Sequence, residues 1–225
     1  MPVIIEIRNL VKEYRGEGET VQVLQNLDMD VEEGSIASVE GASGVGKSTL
    51  LHIIGTIDSA TTGDIKIHGR DVHSMSQSEK EMFRARSLGF IFQHHYLLPD
   101  FTVLENVMMP LLITRESQIK SREHAEQALS WVGLSHRLNH YPSQISGGEM
   151  ARAGVARALV GGKRLILADE PTGNLDKNNS DRLADLIWQL QSELKFTLMI
   201  VTHDRDLAER VPLRYRLTAG KLARI

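Results

Sequence analysis

The chain has 225 residues, with 26 Lys plus Arg against 29 Asp plus Glu and a formal net charge of −3. That length suits one large domain or two small ones and is ample for a buried core, while the acidic balance is unlike the basic footprint of a dedicated nucleic-acid binder. The absence of cysteine excludes disulfides, thiolate–zinc sites and cysteine nucleophiles.

The first ten residues alternate apolar and polar side chains and include Glu6 and Arg8, unlike the basic start and long apolar run of a secretion signal. The longest apolar stretches, such as Val107–Ile113 and Leu198–Val201, fall well short of the roughly 20 residues that cross a bilayer. The expectation is an intracellular chain that does not span a membrane, so any membrane role requires a partner.

Alternation and β-branched content predict strands over Val3–Leu10 and Val21–Val31, joined by a hairpin loop at Gly16–Thr20. A short strand, Ile36–Glu40, runs into a glycine loop, and a helix opens near Lys47. Gly63–His68 reads as a strand, Ser76–Arg86 as a helix and Leu88–Phe92 as a strand. Val103–Ile113 and Ser121–Val132 read as helices, and another runs from Gly147 to about Val160. Leu165–Asp169 is a buried strand, Asn178–Leu194 a helix, Thr197–Thr202 a second buried strand, and Arg214–Thr218 with Lys221–Ile225 a closing hairpin. Strands alternating with helices indicate an α/β fold with a mostly parallel sheet. The early antiparallel strands and the helical middle are expected as subdomains on that core.

Gly41-Ala42-Ser43-Gly44-Val45-Gly46-Lys47-Ser48, followed by Thr49, fits the pattern G-x-x-x-x-G-K-[ST] between a strand and a helix. Glycines let the backbone curl so that its N–H groups point at phosphate oxygens, and the helix N-terminus adds partial positive charge. Lys47 can neutralise β- and γ-phosphates and Ser48 can ligate Mg²⁺. Downstream, the apolar run Leu165-Ile166-Leu167-Ala168 ends in Asp169 and Glu170. A buried parallel strand has no structural need for two acids at its carboxyl end, which is where α/β sheets place ligands. Asp169 suits Mg²⁺, and Glu170 suits orienting or deprotonating an attacking water.

Ile145-Ser146-Gly147-Gly148-Glu149 precedes an Ala- and Arg-containing helix. Its small residues can leave the helix N-terminus open to an anion. Alternatively, Ser146 and Glu149 form a plain capping box.

In the order and spacing of these motifs the whole chain resembles the ABC ATPase family, with a P-loop NTPase core, an antiparallel β subdomain and a helical subdomain at about residues 94–160, all within a single nucleotide-binding domain over 1–225. The resemblance implies that Tyr14 stacks on adenine and that Gln93 senses γ-phosphate and Mg²⁺. It further implies that Ser146, Gly147 and Gly148 are the family signature, that Asn174, Leu175 and Asp176 cross a dimer interface, and that His203 is a switch histidine. It implies ATP and Mg²⁺ as cofactors. It also implies a head-to-tail homodimer in which each ATP lies between the phosphate loop of one copy and the signature of the other. Catalysis would then rest on Glu170, His203, Gln93 and Lys47, and the metal on Ser48, Gln93 and Asp169. The sequence departs from the common signature at Met150 and Ala151, where polar residues are usual, which bears on the rate of hydrolysis. His136 and His140 have the spacing of helical metal ligands, but no third ligand is evident; the His94–His95 pair reads as loop lining after Gln93.

Ser146 follows Lys47 by 99 residues, a gap that fits a short helical subdomain and excludes a long coiled-coil insert. No second nucleotide-binding domain or C-terminal regulatory domain is evident. A membrane transporter's ATPase subunit is the expectation, placed peripherally on the cytoplasmic side of the inner membrane. Leu88–Ile113 is richer in apolar residues after Gln93 than a solvated loop needs. These residues either line a groove for a partner's helix or pack the helical subdomain. This stretch, and the run from Gly41 to Asp58, resemble the ATPases of lipoprotein-releasing systems. That resemblance implies membrane subunits docking around Gln93–Ile113 and no nucleic-acid partner. Alternatives are a macrolide or peptide exporter ATPase, a cell-division ATPase, and a soluble ABC ATPase acting on DNA or ribosomes.

Overall fold

The computed structural model describes residues 2–16 and 18–225; Met1, and Glu17 within the predicted hairpin loop, lie outside the described residues. The chain divides into two compact units, Met1–Glu81 with Thr197–Ile225, and Met82–Phe196.

The first unit opens with β1 (Val3–Arg15) and β2 (Thr20–Glu32), an antiparallel pair. β1 runs five residues past its predicted end. The inward positions continue through Leu10 to Lys12, and a buried lysine hides the alternation from a hydropathy reading. The pairing register shifts on both sides of Leu10, next to Asn9 at φ 51°, and this irregularity bends the strand. Ile5, Ile7, Leu10, Leu27, Met29 and Val31 are all buried, each burial of such a side chain contributing about 1.5–3 kcal/mol. β3 (Ile36–Glu40) is buried at all five positions and leads through the glycine loop into α1 (Lys47–Ile54). β4 (Thr62–Ile67) pairs antiparallel with β1, and β5 (Arg70–Asp71), too short to leave a periodic signal, closes the order β2-β1-β4-β5. α2 (Gln77–Ser87) crosses the boundary between the units.

In the second unit β6 (Leu88–Phe92) carries Gly89, where an added methyl group would collide with the Ala158 carbonyl. α3 (Val103–Ile113) starts at a capping box between Thr102 and Glu105. α4 (Gln118–Trp131) is capped by Ser117, and α5 (Gly147–Leu159) by Ser146. These three helices pack on one another through Val103, Val107, Leu111, Ala125, Leu129, Val155 and Leu159, all buried and spaced three or four apart on their helices. The fully buried Asn106 staples the loop before α3. Its Nδ2 donates to the carbonyls of Leu98, Phe101 and Thr102 at 3.1, 3.0 and 2.9 Å, and its Oδ1 accepts from Leu98 N at 2.7 Å. β7 (Leu165–Asp169) lies parallel to β6 with Phe92 opposite Asp169. α6 (Lys177–Leu194) buries Leu183, Ala184, Ile187, Leu190 and Gln191, a 3.6-residue stripe, and ends at Lys195 in the left-handed region.

The chain then returns to the first unit. β8 (Thr197–Thr202) lies parallel to β3 and is buried throughout, as a strand inside an α/β core must be. α7 (Arg205–Glu209), one turn capped by Asp204, escapes sequence periodicity by its shortness. β9 (Leu213–Thr218) and β10 (Lys221–Arg224) form a hairpin whose turn residues Ala219 and Gly220 both have positive φ. β3 lies parallel to both β8 and β9. No helix among the described residues is long and apolar enough to cross a membrane.

Candidate functional site

In the first unit the predicted phosphate loop sits where α/β chemistry places ligands, at the carboxyl end of β3. Gly44 and Gly46 take φ of 76° and 109°, backbone that side chains strongly resist. At Gly46 an added Cβ would also press within 2.7 Å of Val23 Cγ1. Gly46 is the N-cap of α1 and offers no side-chain acceptor, and the first turn of α1 carries no acid. The partial positive charge of this helix end is therefore left for an anion. Lys47 is 6% exposed, and its Nζ curls back to donate to the carbonyls of Gly41 and Ala42, each at 3.0 Å. Ser43, Gly44 and Ser48 are exposed and Val45 and Thr49 partly so.

His203 follows β8 and is exposed. It lines a cavity of about 450 Å³ together with Glu40, Gly41, Ala42 and Val45, so the structure brings the predicted switch histidine beside the phosphate loop. Glu40, buried at the end of β3, is held by Arg216 (Nε to Oε1, 2.8 Å) and Arg214 (Nη2 to Oε2, 3.4 Å). Burial pushes the Glu40 pKa up, but the two guanidinium groups outweigh it and hold the carboxyl below its ordinary range.

Tyr14 lies near the end of β1, 45% exposed, with its hydroxyl donating to Asp58 Oδ2 at 2.7 Å. Lys12 Nζ sits 4.5 Å from the centre of the Tyr14 ring and donates to Asp58 Oδ1 at 2.7 Å. Sequence reading missed Lys12, Asp58 and Glu40. Lys12 and Asp58 meet across 46 positions and leave no local pattern, and Glu40 reads as the ordinary polar end of a strand.

In the second unit the parallel pairing of β6 with β7 sets Gln93 next to the acidic strand end, since Phe92 is opposite Asp169. Glu170 takes φ 46°, a conformation that costs a non-glycine residue about 1 kcal/mol or more. It opens a turn closed by Gly173 N donating to Glu170 O at 3.0 Å. Beyond that turn Asn174 Nδ2 donates to the Gln93 carbonyl at 2.9 Å, and Gln93 Nε2 donates to Asn174 Oδ1 at 3.2 Å. Asn174 also lies 3.1 Å from His94 Nδ1, so His94 belongs to this loop cluster. Asp176 caps α6, accepting from Asn179 N at 3.0 Å.

Ser146 caps α5 in a full capping box, so the plain reading of this segment holds alongside any anion-binding one. Ser146 N donates to Glu149 Oε2 at 2.8 Å, and Glu149 N donates to Ser146 Oγ at 3.3 Å. The Ser146 amide, and after it Arg137, whose Nε donates to Glu149 Oε1 at 2.8 Å, drive the Glu149 pKa down to about 2. Ser146 and Gly147 are exposed, and Gly147 has open space where a side chain would be. Met150 is half-buried and Ala151 packs into the core. His136 lies in a 3₁₀ turn at Ser135–Arg137, not on an α-helix. His140 instead meets Arg137. No group of three or more metal-ligating His, Cys, Asp or Glu side chains occurs among the described residues.

The family model for ABC transporters matches residues 24–173. The chain belongs to the ABC transporter ATPase family. It is 46% identical over 223 residues to the lipoprotein-releasing system ATP-binding protein LolD of Geobacter metallireducens, covering 99% of each chain. It is 42% identical over 220 residues to the LolD protein of Myxococcus xanthus, covering 98% of each. Among solved structures it superposes with a TM-score of 0.89 and 34% identity on a dimeric post-hydrolysis state of the ATP-binding cassette MJ0796 bound to ADP and Pi, covering 98% of this chain and 97% of that one. The α/β fold is thus that of an ABC ATPase, and the chain is an ATP-binding, ATP-hydrolysing enzyme of that family.

Proposed function

We propose that this chain is the ATP-hydrolysing subunit that powers lipoprotein release from a bacterial inner membrane, acting through membrane-spanning partner subunits. The observation that carries this reading is similarity along nearly the whole chain to ATP-binding proteins of lipoprotein-releasing systems.

In this reading residues 1–225 act as one nucleotide-binding domain to which each unit brings separate chemistry. From the first unit, Gly41, Ser43, Gly44, Val45, Gly46, Lys47, Ser48 and Thr49 cradle the phosphates, Tyr14 stacks on adenine and His203 contacts the γ-phosphate. From the second, Glu170 orients and deprotonates the attacking water, and Gln93 senses the γ-phosphate. Ser48, Gln93 and Asp169 supply a hydroxyl, an amide and a carboxylate. These are hard oxygen donors of the kind Mg²⁺ takes alongside phosphate oxygens, with no dense acidic cage needed. When bound, Mg²⁺ neutralises charge on the β- and γ-phosphates.

Ser146, Gly147 and Gly148 of a second copy complete the charge clamp. ATP then forms part of a homodimer interface that weakens on hydrolysis. Membrane subunits dock around Gln93–Ile113, where Tyr96, Leu98, Phe101 and Ile113 are exposed, and hold this chain peripherally at the cytoplasmic face.

The test is purification of tagged Glu170→Gln protein from detergent-solubilised membranes with ATP to capture its partners, followed by lipoprotein-stimulated hydrolysis with the same complex assembled from wild-type protein. Recovery of a membrane subunit whose lipoprotein substrate stimulates wild-type turnover supports the reading. Recovery of ribosomal or DNA-repair proteins without a membrane protein overturns it. Near-normal hydrolysis by Glu170→Gln removes Glu170 from its role.

A further inference from the structure

Two side chains 46 positions apart in sequence, Lys12 and Asp58, both engage the exposed Tyr14 side chain and bond each other. Lys12 is largely buried, at 10% side-chain exposure, and lies over one ring face with its Nζ 4.5 Å from the centroid. Asp58 accepts from both Lys12 Nζ and the Tyr14 hydroxyl, each at 2.7 Å, while Lys12 also donates to the Ser59 carbonyl at 2.8 Å.

Asp58 follows the C-terminal end of α1. The tether of the Tyr14 hydroxyl therefore stands just past the far end of the helix that begins at the phosphate loop. Lys12 occupies one face of the ring, which leaves the opposite face for a planar ligand. A cation on the far face of a phenol ring is attracted by its π-cloud and holds it in place.

We infer that Lys12 and Asp58 are positioning residues for recognition of the nucleotide base. They lock Tyr14 with one face presented, at a spacing from the phosphate loop set by the length of α1. This rests on the reading of Tyr14 as the adenine platform and adds the device that orients it. Neither Lys12 nor Asp58 touches the nucleotide; each acts through Tyr14.

The experiment compares binding of Mg-ATP and of Mg-tripolyphosphate, which keeps the phosphates and lacks the base, to the full chain by calorimetry. Asp58→Ala is expected to weaken ATP binding about five- to tenfold, the size of one aromatic stacking contact, and to leave tripolyphosphate binding within about twofold. Because Asp58 acts through the phenol, its effect on ATP should shrink by about half or more when placed in Tyr14→Phe, a double-mutant cycle that a merely structural role would not move. Equal weakening of both ligands, or full additivity with Tyr14→Phe, overturns the proposal. If Asp58→Ala does not fold, Asp58→Asn and Lys12→Met are read by the same two ligands. Tyr14→Ala separates the two levels of the argument. Unchanged ATP affinity there removes the platform itself, whereas weakened ATP affinity there with wild-type affinity in Asp58→Ala removes only the positioning layer.

Discussion

Gln93 and Asn174 clasp each other through two hydrogen bonds, side chain to side chain at 3.2 Å and Asn174 amide to Gln93 carbonyl at 2.9 Å. The residue proposed to sense γ-phosphate is thereby tied to the loop proposed to meet a second copy. Asn174→Ala removes both bonds. Its turnover of ATP should fall about five- to tenfold, as expected from roughly 1–1.5 kcal/mol of lost orientation, with ATP affinity nearly unchanged. Steady-state kinetics with a parallel binding titration checks this, and wild-type turnover would show that the clasp does not position Gln93.

Glu149 offers a pH-dependent prediction. Its pKa is lowered to about 2 in the folded chain from an ordinary 4.5, so the stability it provides is fully present above about pH 4.5 and is lost as pH falls towards 2. Glu149→Gln should cost about 1–2 kcal/mol at pH 7 through the weakened capping box and the lost Arg137 pair. Urea unfolding of both proteins from pH 7 to pH 3 should show that difference shrinking with acid; a gap that stays constant would exclude the ionised carboxylate as its source.

Glu40 is buried between Arg214 and Arg216 at the threshold of the phosphate loop. Removing it in Glu40→Leu leaves two guanidinium groups without their shared carboxylate. The expected loss is about 2–3 kcal/mol, less than for a fully buried pair because Arg216 is half-exposed. Because the folded pKa lies below the ordinary one, wild-type stability from this cluster is present above the ordinary carboxylate range and lost as acid protonates Glu40. Thermal unfolding checks it, and a Tm within about 2 °C of wild type would refute it.

Asn106→Ala strips the staple from the loop before α3 and leaves Leu98 N–H and the Phe101 carbonyl to find other partners, while the Leu98 and Thr102 carbonyls keep only their backbone donors. We expect about 2–4 kcal/mol of destabilisation, with faster proteolysis between residues 96 and 102. Unchanged cleavage there would mean that the loop is held by other contacts.

The candidate site was legible where chemistry demands fixed local spacing. Gly41–Ser48 stands out because a tight phosphate cradle would need glycines at set offsets, and Leu165–Glu170 because acids at the end of a buried strand have no packing role. The helices α3, α5 and α6 declared themselves through apolar stripes. What stayed hidden lies in tertiary pairings. Lys12 and Asp58 are ordinary surface types until folding buries one and joins them. The continuation of β1 past Leu10 was masked because its inward residue is a lysine.

Gly89 places the β6 backbone directly against the Ala158 carbonyl of α5, with no side chain between them. A joint without side chains has no rotamers to absorb slip. β6 leads into Gln93, and α5 starts at Gly147 behind its N-cap Ser146. Any side chain at position 89 would have to wedge this strand and helix apart, so only the residue type without a Cβ permits so close a seam.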